Sequence, residues 1–181
     1  ITTYSPLKRF GARRGRRVGV LGLGGLGHMA VKIAAAMGAE VTVLSRSAAK
    51  RADAKRLGAH DFALTTDRTT ASKLAGRFDL ILDAVSADHD IGAALGWLAT
   101  EGTLALVGAP PKPMPVNAFT IIPRKALAGS LIGGIPETQE MLDFCARRKI
   151  LSDVEVIEIE SVNEAYERAL RGDVRYRFVI D

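Results

Sequence analysis

A single cysteine, Cys145, occurs in the 181 residues, so no disulfide can close within the chain and no cysteine-based metal cluster can be built from it. Histidine is nearly as scarce. His28, His60 and His89 lie far apart and show none of the spacings of a zinc site. A reducing compartment, the cytoplasm, is therefore the expected setting. The sequence has no apolar run long enough for a membrane-spanning helix and no signal-peptide layout, so no membrane partner is expected. An initial Met is missing as well, which makes the chain look like part of a longer polypeptide. Charge is only mildly unbalanced: 25 basic against 20 acidic residues give +5. Part of the excess comes from Arg13, Arg14, Arg16 and Arg17 around Gly15. That cluster is short and has no interleaved aromatics, so it reads as a solvated turn rather than a nucleic-acid surface.

What remains is an ordinary globular composition, 48% apolar and 25% charged, long enough to bury a real core. Its centre is Gly22-Leu23-Gly24-Gly25-Leu26-Gly27. The apolar run Val18 to Leu21 leads into this stretch, and the helix-forming Met29 to Met37 leads out. In a strand, glycine turn and helix of this kind the first glycine allows a tight reversal and the second lets backbone N–H groups approach a pyrophosphate. The third lets the helix pack closely on the strand. The alternation then continues. Val41–Leu44 reads as a second strand, Ala48–Leu57 as a helix capped by Ser47, Phe62–Leu64 as a third strand and Thr69–Ala75 as a weak helix. Phe78–Val85 is the clearest strand, followed by a helix over Ile91–Leu98. Gly102–Gly108 and Ala126–Gly133 make strands five and six, separated by the proline-rich Ala109–Pro115. Beyond them lie a helix from Pro136 to about Lys149, a strand-like Val154–Ile159, a helix from Ser161 with a Ser161/Glu164 capping box, and a last strand over Val174–Ile180.

Strands alternating with helices predict an α/β fold, a doubly wound parallel six-stranded Rossmann sheet in the order 3-2-1-4-5-6, with a C-terminal extension. Ligands should lie at the carboxyl ends of the strands, at Gly22, Ser45, Val85, Gly108 and Gly133. An NAD-selective fold of this kind carries Asp or Glu at the end of the second strand, to accept from the ribose 2′-hydroxyl. Here that position is Ser45, followed by Arg46, Ser47 and Lys50. Two hydroxyls and two cations suit a 2′-phosphate, which a carboxylate would repel. The expected cofactor is NADP(H).

The segments Ile1–Leu7, Gly22–His28, Leu106–Pro110, Gly133–Met141 and Gly172–Val179 together resemble the zinc-dependent alcohol dehydrogenases, in particular their cinnamyl-alcohol-dehydrogenase-like, NADP-dependent aldehyde reductases. The resemblance covers essentially the whole chain. It implies hydride transfer between nicotinamide C4 and the carbonyl carbon of an aldehyde, or the reverse from a primary alcohol, with a zinc ion polarising the oxygen. It also implies that the zinc ligands precede Ile1, so that no catalytic and no metal-binding residue belongs to this chain. The implied cofactor contacts are Gly22, Leu23, Gly24, Gly25 and Leu26 for the pyrophosphate, Ser45, Arg46, Ser47 and Lys50 for the 2′-phosphate, and Val85 and Ser86 near the ribose. Val107, Gly108, Ile132 and Gly133 are implied at the nicotinamide end, with Thr2 beside it. Arg175 is implied at the pyrophosphate, with Arg177 an equally available cation. Pairing of the edge stretch Ala126–Ile132 across a homodimer is a further implication.

The expected organisation is a lead-in over residues 1–16 from a preceding catalytic domain, an NADP-binding domain over 17–150, and a segment over 151–181 that returns toward the catalytic domain. On this reading the isolated chain binds cofactor without turnover. The alternatives are a stand-alone dinucleotide-binding or sensing module and a different Rossmann enzyme such as a methyltransferase. The end of strand two disfavours the second, since a cosubstrate ribose would call for an acidic residue there.

Overall fold

The computed structural model describes residues 1–181. A short helix α1 (Tyr4–Arg9) precedes β1 (Arg17–Leu21), α2 (Gly27–Ala36), β2 (Glu40–Ser45), α3 (Arg51–Arg56), β3 (Asp61–Leu64), α4 (Arg68–Ser72), β4 (Phe78–Asp83), α5 (Ile91–Gly96), β5 (Leu98–Leu106) and β6 (Ala126–Gly129). The six strands form one parallel sheet in the order β3-β2-β1-β4-β5-β6. Helix α6 (Ile135–Arg148), β7 (Glu155–Ile157), α7 (Val162–Leu170) and β8 (Phe178–Ile180) follow, with β7 and β8 paired in a separate two-stranded parallel sheet. No helix is long and apolar enough to cross a membrane.

The central strands are buried on both faces, as crossover helices on two sides require. Val18, Val20, Val41, Val43, Leu80 and Leu82 meet Ala30, Val31, Ile33 and Ala34 of α2 in one apolar cluster. Leu21, Leu44, Ile81 and Leu104 face the other way, toward Ile91 and Leu95 of α5 and the adjoining Trp97. Tight glycines end α2 and α3: Gly38 and Gly58 take φ of +89° and +101°, conformations that cost a residue with a Cβ.

Four local expectations change. Strand five begins at Leu98, not Gly102, because a bulge lets Phe78 pair with Leu98 before Leu80 pairs with Thr103. Strand six stops at Gly129. Ser130 still donates to the Leu106 carbonyl, but Ile132 turns to a φ of +55° and leaves the ladder. The Ser161 capping box does not form: a 3₁₀ turn over Ile159–Ser161 runs straight into α7, and Ser161 lacks the extended backbone of a capping residue. Ser47 is extended ahead of its 3₁₀ turn, yet its side chain makes no cap bond. Asp67 and Asp90 instead cap α4 and α5 through Thr69 N–H and Ala93 N–H.

Candidate functional site

The carboxyl ends of β1, β2 and β4 open into a cleft of about 870 Å³ lined by Gly22, Leu23, Gly24, Ser45, Arg46, Ser47, Lys50, Val85 and Ser86, with Thr65, Thr66 and His89. Its floor is the glycine turn. Gly22 has a φ of +90°, and a Cβ on it would lie 2.9 Å from the Val85 Cγ2. A Cβ on Gly27 would fall 2.0 Å from the Gly22 carbonyl oxygen, so α2 can approach the strand only as glycine. Gly24 differs, since a Cβ there would meet nothing within 4 Å. The middle of the turn therefore faces open space, as a turn must if a phosphate is to approach its backbone.

On the β2 side the Ser45 hydroxyl accepts from the Ser47 N–H at 3.2 Å. That bond folds the chain back so that Arg46, Ser47 and Lys50 reach one wall of the cleft. No carboxylate stands at this strand end. Glu40 lies at the opposite end of β2, and Asp53 is on α3, held by Arg56.

The last residues of the chain close over the turn. His28, fully buried at the start of α2, stacks on Tyr176 with ring centroids 4.6 Å apart. Its Nε2 accepts from the Asp153 N–H at 3.3 Å, so the proton is on Nδ1, which donates to the Gly24 carbonyl at 3.3 Å. Burial holds the His28 pKa below the ordinary histidine value, which keeps the ring neutral and this tautomer fixed. The Lys50 ammonium sits 5.7 Å above the other aromatic partner, Tyr176. Of the two nearby arginines, Arg177 donates to the Gly25 carbonyl at 3.3 Å, whereas Arg175 turns to Asp53 at 3.5 Å.

The remaining expected contacts form a second group beside the cleft. Val107 N–H and Gly108 N–H both donate to the Asp83 carbonyl, and Gly108 presses on the Val85 backbone, where a Cβ would come within 2.3 Å of the Val85 carbonyl oxygen. Gly133 packs under the Ile1 side chain, which brings Thr2 and Ile132 to the same region. Leu26 precedes α2 and its carbonyl receives the Ala30 N–H.

Reading the residues alone misses one pair in the cleft. Asp83 ends β4 fully buried; its Oδ1 accepts from the Val85 N–H at 3.0 Å and its Oδ2 lies 2.6 Å from His89 Nε2. The legible signal is a second carboxylate closing the strand directly after the apolar run Leu80 to Leu82. Nowhere do three or more His, Cys, Asp or Glu side chains come together as a metal site.

Comparison with known proteins places this geometry in context. Residues 25–147 match the family described as zinc-binding dehydrogenase. The chain is 58% identical over 182 residues to NADP-dependent alcohol dehydrogenase C 1 of Mycolicibacterium smegmatis and 51% identical to the aldehyde reductase YahK of Escherichia coli. All of the chain aligns in both cases, yet it spans only 52% of either relative's length. Among solved structures, a cinnamyl alcohol dehydrogenase from Sorghum bicolor superposes with a TM-score of 0.97 at 44% identity, covering 99% of this chain and 52% of that one. The cinnamyl alcohol dehydrogenase of Helicobacter pylori complexed with NADP(H) superposes with a TM-score of 0.89 at 40% identity, over 100% of this chain and 52% of that one.

Proposed function

The chain belongs to the zinc-binding dehydrogenase family, and from that premise we propose that it is the NADP(H)-binding domain of an alcohol dehydrogenase or aldehyde reductase. The observation that carries this reading is the joining of two features in one cleft: an open glycine turn at Gly22–Gly24, and a strand end that offers Ser45, Arg46, Ser47 and Lys50 with no carboxylate. The first feature suits any dinucleotide; the second suits a 2′-phosphate and lacks the carboxylate that accepts from a bare 2′-hydroxyl.

In the proposed complex the backbone of Leu23–Leu26 and the start of α2 hold the pyrophosphate, with Arg177 as the cation over the turn and Arg175 a step further away. Arg46 binds the 2′-phosphate by its planar fork and Lys50 as a point charge, flanked by the Ser45 and Ser47 hydroxyls. Val85 and Ser86 line the ribose, while Val107, Gly108, Ile132, Gly133 and Thr2 bound the nicotinamide end. Since the Val107 and Gly108 N–H groups are already engaged by Asp83, these two residues offer carbonyls and apolar surface there.

When bound, the nicotinamide supplies the hydride exchanged with an aldehyde or primary alcohol. This chain's own part is to bind and orient. The residues described do not form a metal site, and zinc ligation is assigned to residues outside the chain. The parts then divide as a lead-in over residues 1–16, the cofactor domain over 17–150, and the β7–β8 segment over 151–181 directed to a catalytic domain. We place the enzyme in the cytoplasm, as a homodimer joined along the β6 edge.

Titration of the chain with NADPH and NADH, followed by cofactor fluorescence, tests the reading. NADPH should bind at least tenfold more tightly, on the order of one charge-assisted hydrogen bond, and Arg46→Ala should remove most of that margin. Equal or tighter NADH binding overturns the NADP(H) assignment. Aldehyde-dependent NADPH oxidation by the isolated, metal-supplemented chain overturns the division of labour.

A further inference from the structure

His89 makes two contacts that fix a proton. Its Nδ1 lies 2.9 Å from the Ala87 carbonyl oxygen, which can only accept, so Nδ1 carries hydrogen. Its Nε2 lies 2.6 Å from the Asp83 carboxylate, and two bare lone pairs cannot sit at that distance. One proton must occupy the gap, whichever atom it is drawn on. With it the pair has no net charge; without it the pair carries one negative charge. The His89 side chain is 10% exposed and that of Asp83 1%, so water does little to screen that charge. His89 lines the cleft, and the buried Asp83 lies behind it, holding Val85 N–H by its side chain and Val107 and Gly108 N–H by its carbonyl.

We propose that His89 is a positioning residue of the cofactor cleft: the proton it shares with Asp83 keeps this strand end uncharged while a polyanionic dinucleotide binds, so that losing the proton weakens binding. The proposal rests on the NADP(H) reading above. Arg46 faces His89 across the cleft from beyond β2, and Asp88 and Asp90 flank it on its own loop. Lys112 holds Asp88 at 2.8 Å, Asp90 caps α5, and Lys50 lines the same cleft. The uncompensated charge that appears on deprotonation is therefore that of Asp83. Burial pulls the His89 pKa down, but the Ala87 carbonyl and the Asp83 carboxylate outweigh it and hold the pKa above the ordinary histidine value. Burial likewise raises the Asp83 pKa, against the Val85 N–H and His89. Both directions favour keeping the proton in the pair.

The test is NADPH affinity of the chain from pH 7 to pH 9.5, where the 2′-phosphate is already fully ionised, since its second pKa is about 6. The wild-type dissociation constant should rise on the order of tenfold across the window, the size expected of one charge across a partly solvated cleft. His89→Gln can still donate to Asp83 but carries no extra proton. It should bind NADPH about tenfold more weakly at pH 7, with little further change to pH 9.5. Adding Asp83→Asn to that variant should restore tight, pH-independent binding. The flat profile of His89→Gln assigns the pH dependence to His89 rather than to another group. Histidine NMR of the unliganded chain supplies an independent reading, in which the His89 ring should titrate above the ordinary value of about 6.5.

Tight wild-type binding that ignores pH, a His89→Gln variant that follows the wild-type profile, or a ring that titrates at or below the ordinary value each overturns the proposal alone. Absence of NADPH binding at every pH overturns the NADP(H) reading, and the proposal with it.

Discussion

His28 and Tyr176 stack with their ring planes 12° apart, although 148 positions separate them in the chain. The first opens the helix that follows the glycine turn, and the second lies just ahead of β8. The contact ties the small β7–β8 sheet to the large one, together with the Lys32, Arg56 and Asp153 ion cluster beside it.

The Tyr176 ring is 4% exposed, while its hydroxyl is buried near Asp53 and Arg56 without closing a hydrogen bond to either. Ring and hydroxyl should therefore separate on mutation. Tyr176→Ala is expected to cost about 3–5 kcal/mol. Tyr176→Phe removes an unpartnered polar group and should change stability by less than about 1 kcal/mol, toward stabilisation. Urea unfolding of the two variants measures both.

The glycines of the turn should divide in the same way. Gly27→Ala drives a methyl group into the Gly22 carbonyl, and should lower stability by about 3 kcal/mol or more through backbone displacement. Gly24→Ala meets nothing, so its unfolding midpoint should match the wild type. Its methyl group nonetheless enters the cleft, and NADPH binding should fall at least tenfold. Thermal unfolding and cofactor titration, run in parallel, check the contrast.

Arg177 and Arg175 offer a third comparison. Arg177 stands on the Gly25 carbonyl and Arg175 on Asp53. Arg177→Ala should weaken NADPH and NADH alike by about tenfold, since the pyrophosphate is common to both. Arg175→Ala should have a smaller effect. Isothermal titration with each dinucleotide distinguishes a loss shared by both from one confined to NADPH.

Asp153 supplies an acid-sensitive contact. Hydrogen bonding to Lys32, then to Arg56, outweighs partial burial and holds its pKa below the ordinary carboxylate value. A lowered folded-state pKa gives stability that is present above the unfolded value of about 3.9 and lost as pH falls through the folded one. Asp153→Asn should cost about 1–3 kcal/mol at pH 7, and the gap from wild type should narrow below about pH 4. Urea midpoints at pH 7 and pH 3.5 give the comparison.

The sheet order and the glycine turn are legible from the sequence because both are written locally: apolar β-branched runs set the strands, and three glycines set the reversal. The wall of the cleft at Ser45–Lys50 is legible for the same reason, since it follows directly on a strand end. What is not legible depends on contacts far apart in the chain. Ile132 leaves strand six where Gly133 packs under Ile1, 132 positions away. Arg175 and Arg177 cannot be told apart until β8 begins at Phe178 and fixes which way each points. The Asp83–His89 pair is hidden because a carboxylate after three apolar residues has no partner in its own strand; the partner arrives from the loop beyond.

Arg177 lies on the Gly25 carbonyl across 152 positions of sequence. A ribosome adding about 5–20 residues each second takes on the order of ten to thirty seconds to travel that distance. The glycine turn therefore leaves the ribosome well before Arg177 does. Between the two events a nascent chain can assemble the large sheet while its glycine turn still lacks the Arg177 contact.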